Sequence, residues 1–279
     1  MWLADIGACP VGESSARWLA IWRSDFLPFV ELNAQNCGCL HRQIYCVTDL
    51  LLLPGLLCDE RLWAAQVNAL TGSVRSRVPD LSGHESISAM ADAVLATSPL
   101  RFALAGFSMG GCVALEIFAR APERVCRLAL LSTSAKGLTE PVREHLQGSI
   151  SEIEAGGFDR YLADAFPRYV APGRAHDRAL WNAFEAMANA LGSVVAVRQM
   201  RALLNYPGFA SNLGWITCPT AIICGRQDLR VPVPIHVEMA SQIPAAKLLV
   251  IDRCGHFVSL EQPQAVIDGL SEWLRLPVE

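Results

Sequence analysis

No run of about eighteen consecutive apolar residues occurs in the 279-residue chain, so no membrane-spanning helix is expected. Basic clusters of the kind that neutralise phosphates are also missing, and the net charge of -4 is mild, so nucleic acid is not an expected partner. There is no internal repeat and no low-complexity tract. A basic start, an uninterrupted apolar centre and a small-residue cleavage site, the marks of a secretory leader, are all lacking, which points to a cytoplasmic protein. The ten cysteines include no C-x2-C pair and are spread along a chain too long to need disulfide staples, so most are expected to be reduced. Hydrophobic residues make up 52% of the chain, enough to bury a large core.

The most informative segment is Gly106-Phe107-Ser108-Met109-Gly110. The apolar run Arg101 to Ala105 reads as a strand and Met109 to Ala121 as a helix, which places Ser108 on a sharp strand-to-helix turn. Side chains at the flanking positions would crowd such a turn, and Gly106 and Gly110 remove them. Gly111 lets the helix lie close to its neighbouring strands. The hydroxyl of Ser108 is then held out at a helix N-terminus, where it can attack an acyl carbon.

Five residues of this pattern can arise by chance, and the rest of the chain supplies the context. Asp228, in Cys224-Gly225-Arg226-Gln227-Asp228, and His256, in Arg253-Cys254-Gly255-His256-Phe257, follow in the order acid then histidine. Each comes just after a short strand-like run, Pro219 to Cys224 and Lys247 to Ile251. Parallel strands would bring all three loops to one edge of a sheet.

On these residues the chain resembles the α/β-hydrolase superfamily, and in particular its small serine carboxylesterase and enol-lactonase-like members. The resemblance spans about Asp49 to Pro277. It includes Leu53-Pro54-Gly55-Leu56-Leu57-Cys58-Asp59 with Trp63, which is similar to the oxyanion loop of small esterases. Pro54-Gly55 stands where many relatives carry His-Gly, a departure that removes a side chain and leaves the backbone donor. The resemblance implies a mostly parallel, doubly wound sheet with an inserted helical cap. It also implies Ser108 as nucleophile, His256 as general base and Asp228 as its orienting acid. The backbone N–H groups of Leu56 and Met109 are expected to form the oxyanion hole.

The expected activity is cleavage of a small, fairly apolar carboxylic ester or lactone through an acyl-enzyme, with no metal and no organic cofactor. Other reactions use the same three residues and stay open. They are carbon-carbon bond and enol-lactone hydrolysis in aromatic degradation, and cofactor-free haloperoxidase or perhydrolase chemistry. Epoxide hydrolases and haloalkane dehalogenases place an aspartate at the turn, so Ser108 excludes them. A non-catalytic ligand-binding protein on the same scaffold is a further alternative, and three matched catalytic residues argue against it.

Along the chain, strands are expected at Leu50 to Leu53 and Val74 to Val78, and at Val125 to Leu131, a run apolar enough to be buried on both faces. Helices are expected at Glu60 to Leu70, around Ile87, Met90, Ala91, Val94 and Leu95, and from Pro263 with a stripe of Val266, Ile267, Leu270 and Leu274. The core is thus 49–136 with 214–279. Residues 137–213 lose the alternation and show four helical stripes, the pattern of a cap: Val142, Leu146, Ile150 and Ile153; Phe158, Tyr161, Leu162, Ala165 and Phe166; Leu180, Phe184, Met187 and Leu191; Val197, Met200, Arg201 and Leu204.

Residues 1–48 form an N-terminal extension that fits the rest poorly. Its first 46 residues hold four cysteines and three tryptophans without a clean period. Three readings stay open: short edge strands at Phe29 to Leu32 and Gln43 to Val47, a metal site at Cys37, Cys39, His41 and Cys46 whose spacing argues against it, and a native start at Val47.

Among the remaining candidates, Asp252 reads as a strand-end cap, and Glu261 as a carboxylate near a helix start. His41, His145, His176 and His236 lack partners in sequence, and solvated or capping roles are expected. Cys112, Cys126, Cys218 and Cys224 fall at apolar positions as small hydrophobes. Cys58 and Cys254 fall in loops expected to border the site, where oxidation or alkylation would block access.

Overall fold

The structure is a computed structural model that describes residues 48–244 and 246–278. The strands expected at Phe29 to Leu32 and Gln43 to Val47, and the Cys37, Cys39, His41 and Cys46 group, lie outside the described residues. No described helix is long and apolar enough to cross a membrane.

Six parallel strands form one sheet in the order β2-β1-β3-β4-β5-β6. They are β1 (Thr48–Leu53), β2 (Val74–Arg77), β3 (Phe102–Phe107), β4 (Val125–Leu131), β5 (Thr220–Gly225) and β6 (Ala246–Ile251). β3 and β5 are buried along their whole length, β4 nearly so, as strands covered on both faces must be. The edge strands β2 and β6 are only partly covered.

The helices α1 (Ala64–Leu70), α2 (Ile87–Thr97) and α3 (Met109–Arg120) connect successive strands. The chain steps outward from β1 to β2 and then back across β1 to β3. Right-handed crossovers therefore put α1 on one face of the sheet and α2 and α3 on the other. α2 starts where the Ser86 hydroxyl accepts from the N–H of Ala89 at 3.1 Å, and it buries the expected Ile87, Met90, Ala91 and Val94. The helix expected from Glu60 begins instead as a 3-10 turn at Glu60–Trp63, capped by Asp59, and becomes α-helical at Ala64.

Between β4 and β5 the chain leaves the sheet and forms α4 (Glu140–Glu154), α5 (Phe158–Ala165) and α6 (Arg178–Leu204). α6 is two helices joined at a kink. Gly192 there has φ 79° and ψ 172°, a conformation nearly closed to residues with a Cβ, which is why two separate apolar stripes are visible in its sequence. Arg201, assigned to the fourth stripe, is instead half exposed and pairs with Glu154. After β5 come α7 (Val233–Gln242), which the sequence pattern did not mark, then α8 (Val258–Glu261) and α9 (Pro263–Leu274). α9 buries Val266, Leu270 and Trp273, whose indole N–H donates to the Pro219 carbonyl at 3.0 Å. Ile267 and Leu274, expected in that stripe, are only partly buried.

Two polar residues expected at the surface are interior. His236 on α7 is fully buried, and its Nε2 has no hydrogen-bond partner. Burial pushes its pKa down to about 4. Glu261 does neighbour a helix start, two residues before Pro263 of α9, but its carboxylate serves other groups. It closes α8 and is buried, where its carboxylate accepts from the N–H of Gly255 at 2.9 Å and of Ala171 at 2.8 Å. Burial raises its pKa against those two donations. Gly255 lies in the loop after β6 and Ala171 in the helical insert, so one carboxylate ties insert to core.

Because the native state holds His236 neutral while the unfolded chain protonates it near pH 6.5, its contribution to stability is intact above that pH. It is lost as pH falls towards 4. Urea midpoints should show His236→Leu gaining on the parent protein by about 3 kcal/mol between pH 7 and pH 4. Parallel pH curves for the two proteins would contradict this. Glu261→Gln leaves one buried N–H facing an amide N–H, and should cost about 1–3 kcal/mol at pH 7. An unchanged denaturation midpoint would show that the clamp is not needed.

Candidate active site

Ser108 sits between β3 and α3 with φ 51° and ψ -116°, a strained conformation for a residue with a side chain. The turn is locked from several sides. Its N–H donates to the Leu131 carbonyl at 2.9 Å, and its carbonyl accepts from the Thr133 hydroxyl at 2.8 Å. A Cβ on Gly106 would lie 2.3 Å from the Gly110 carbonyl oxygen, and one on Gly110 would lie 2.4 Å from that of Leu53. Both glycines are thus required by close backbone approach, as the sequence spacing implied.

The loops after β5 and β6 bring Asp228 and His256 to the same sheet edge. Ser108 Oγ lies 3.0 Å from His256 Nε2, and His256 Nδ1 lies 2.8 Å from Asp228 Oδ2. Asp228 Oδ1 accepts from the backbone N–H of Arg230 at 2.7 Å and of Val231 at 2.9 Å. Burial pushes the Asp228 carboxyl up, but the His256 imidazole and these donors outweigh it, holding it below the usual carboxylate range. An ionised Asp228 can only accept, so Nδ1 carries the proton and Nε2 is left to accept one from Ser108.

The imidazole is also fixed by packing. Its ring lies 5.1 Å from that of Phe107 and 5.6 Å from that of Tyr169. The Tyr169 carbonyl accepts from the N–H of His256 at 2.8 Å and of Phe257 at 3.0 Å. Asp252, the other carboxylate near the β6 loop, is exposed and pairs with Arg226. The structure therefore brings together Ser108, Asp228 and His256 and leaves Asp252 outside.

The loop after β1 runs beside the serine, since a Cβ on Gly55 would come within 3.3 Å of Ser108 Cβ. The fold holds this loop with two bonds: Cys58 N–H to the Gly55 carbonyl at 3.1 Å, and Leu57 N–H to Gln199 Oε1 at 2.9 Å. Gln199 is a buried residue of α6 that sequence reasoning missed, because its polarity within an apolar stripe has meaning only once its partner is known. Leu56 follows Gly55, and Met109 opens α3.

A cavity of about 380 Å³ opens over Ser108 and His256. The insert and the loops after β4 and β5 wall it. Leu138, Val142, Leu203 and Val231 contribute apolar surface, and Arg168 and Arg230 contribute charge. His145, expected to be merely solvated, stands on this lining, as does Cys112. Cys58 and Cys254 do not. Both are buried thiols whose pKa is raised by that burial, which makes them inert fillers and overturns the expectation of a reactive thiol.

Comparison with known proteins agrees with the fold. Residues 50–268 match the Alpha/beta hydrolase family. A pimeloyl-[acyl-carrier protein] methyl ester esterase from Aromatoleum aromaticum is 30% identical over 234 residues, covering 77% of this chain and 94% of the relative. The enol-lactonase from Burkholderia xenovorans LB400 superposes with a TM-score of 0.75 at 20% identity, covering 82% of this chain and 92% of that one. A thermophilic esterase from Thermogutta terrifontis gives a TM-score of 0.73 at 23% identity, over 82% and 89% of the two chains. With a parallel sheet, a strained serine turn and an acid and a histidine on its carboxyl edge, the chain belongs to the alpha/beta hydrolase family.

Proposed function

We propose that this protein is a serine hydrolase that cleaves a small carboxylic ester or lactone through an acyl-enzyme. The observation that carries the reading is the unbroken hydrogen-bonded chain from Ser108 Oγ through His256 to Asp228. The relative from Aromatoleum aromaticum, named a methyl ester esterase, supports the substrate class.

A serine hydroxyl is a weak nucleophile unless its proton leaves as the new bond forms. His256 Nε2 is within reach to take it, and Asp228 stabilises the imidazolium that results. Attack on the ester carbonyl gives a tetrahedral oxyanion. The backbone N–H groups of Leu56 and Met109, to which the fold assigns no other acceptor among the described residues, are the proposed donors to it. When the oxyanion collapses, the C–O bond to the alcohol breaks, and the His256 proton passes to the leaving alkoxide. Water then repeats the cycle on the acyl-enzyme and frees the acid. Each proton in this scheme moves between protein groups, substrate and water.

The helical insert is the proposed cap. It walls the cavity and lends the Tyr169 carbonyl that fixes the backbone of His256, so it serves both the pocket and the base.

Ser108→Ala should lower turnover of a p-nitrophenyl ester by about four to six orders of magnitude with an unchanged circular dichroism spectrum. A fluorophosphonate should label the parent protein and spare this variant. If activity merely halves, the nucleophile lies elsewhere. Asp228→Asn should cost roughly ten-thousandfold in kcat by favouring the wrong tautomer. Asp252→Asn, which alters an exposed ion pair, should stay close to the parent. Equal losses in the two aspartate variants would remove Asp228 from its role.

A further inference from the structure

Among the described residues, every other arginine that is buried or half-buried has a partner. Arg174 pairs with Asp177, and Arg143 and Arg198 each combine a backbone carbonyl with a nearby glutamate. Arg124 and Arg127 donate to backbone carbonyls. Arg168 and Arg230 are the exceptions. Both are half-buried, both line the catalytic cavity, and neither side chain has a carboxylate or carbonyl partner among the described residues. The Nε of Arg168 is buried without a hydrogen bond, as are those of Arg124 and Arg127, but only Arg168 also lacks an acceptor at its terminal nitrogens among the described residues. Arg230 rests over the Tyr169 ring with its guanidinium carbon 5.1 Å from the ring centroid, a contact that holds the cation without neutralising it.

No Asp or Glu stands on the lining of this cavity, and Lys136, its other permanent cation, is already paired with Glu238. The charges of Arg168 and Arg230 reach His145 on the same wall, where together with burial they push its pKa down. Tyr169, Tyr161 and Asp228 lend Arg230 coulombic support that holds its charge, yet Asp228 is hydrogen-bonded to His256 and the loop backbone, so neither guanidinium is closed off by an ion pair.

Their backbones are fixed relative to the chemistry. Arg168 precedes Tyr169, whose carbonyl holds the N–H of His256, and Arg230 donates its own N–H to Asp228. We propose that Arg168 and Arg230 form an anion subsite within the catalytic cavity, so that the ester turned over here carries a carboxylate. A monoester of a short dicarboxylic acid, or an ester of a hydroxy acid, fits this description. The carboxylate accepts from the two guanidinium groups while the apolar wall takes the carbon chain and the ester carbonyl meets Ser108. This inference rests on the ester-hydrolase reading and narrows its substrate class: the fairly apolar substrate expected from sequence describes only one wall.

The test compares kcat/KM for monomethyl and dimethyl esters of succinate, glutarate and adipate, beside O-acetyl hydroxy acids, whose alcohol portion bears the carboxylate, and their neutral carboxamides. The parent protein should favour the charged member of at least one matched pair. Arg168→Gln and Arg230→Gln should each reduce that charged-to-neutral ratio by roughly 10- to 100-fold, and Arg230→Lys should restore part of it. A parent protein that prefers the neutral diesters throughout overturns the subsite, as does a ratio unmoved by either substitution. A second readout needs no turnover: free glutarate or adipate should raise the melting temperature of Ser108→Ala, and less so when Arg168→Gln is added. If the parent protein fails to label with a fluorophosphonate but still binds dicarboxylate through these arginines, the esterase reading falls and the subsite stands. If it labels and hydrolyses p-nitrophenyl acetate but shows neither charge preference nor dicarboxylate binding, the subsite falls alone.

Discussion

The backbone of Ser108 is the constraint on which the site depends. A side chain at φ 51° and ψ -116° stores of order 1–3 kcal/mol, and such a conformation persists only where its surroundings leave no alternative. Here they do so through main-chain contacts. The Leu131 carbonyl takes the N–H, the Thr133 hydroxyl holds the carbonyl, and Gly106 and Gly110 allow backbone to approach backbone where a Cβ would collide. These contacts come from β1, β3, β4 with the loop after it, and the start of α3, at the centre of the sheet. The parallel ladder between β3 and β4 therefore does more than fill the core, because it sets the direction in which Ser108 Oγ points.

The second dependence runs between insert and core. Polar contacts join them close to the candidate catalytic groups, among them Tyr169 to the backbone of His256, Ala171 to Glu261, and Gln199 to Leu57. Each satisfies a backbone group that the close approach of the two parts has withdrawn from water. An insert joined only by apolar contacts could slide over the sheet at small cost. With these bonds in place, movement of the segment 169–171 pulls on the loop that carries His256. The insert is thus part of the support for the proposed base as well as a wall of the cavity.

Much of this was legible in the sequence, and the reasons differ by element. β4 could be read from its composition, because a strand covered on both faces needs a continuous apolar run. The convergence of Ser108, Asp228 and His256 could be read because the proposed chemistry restricts its groups to particular residue types at strand ends, in a set order. The kink at Gly192 falls between the two separate apolar stripes that end at Leu191 and begin at Val197. Glu261, Gln199 and His236 escaped for a shared reason. A buried polar side chain is tolerated according to what it meets in space, and Glu261 meets donors six and ninety positions away along the chain. The reactive-thiol expectation for Cys58 and Cys254 failed on the same ground, since placement in a loop beside the site says nothing of burial. Arg168 carried no periodic signal at all. Its importance lies in a carboxylate that is missing from its surroundings, and a one-dimensional pattern does not record that.

The placement of the two arginines bears on how selectivity and catalysis are connected in this molecule. In many sites the residues that bind the distant end of a substrate can change independently of those that react. Here Arg168 is joined by a single peptide bond to Tyr169, which fixes the His256 backbone, and Arg230 is two residues from Asp228, whose Oδ1 takes its N–H. A substrate anion pulling on either guanidinium acts on a segment that also positions the base or its acid. Binding energy from the charged end therefore bears on segments that already hold Ser108, His256 and Asp228 within hydrogen-bond reach, so loss of a guanidinium contact is felt in kcat as well as in ground-state binding.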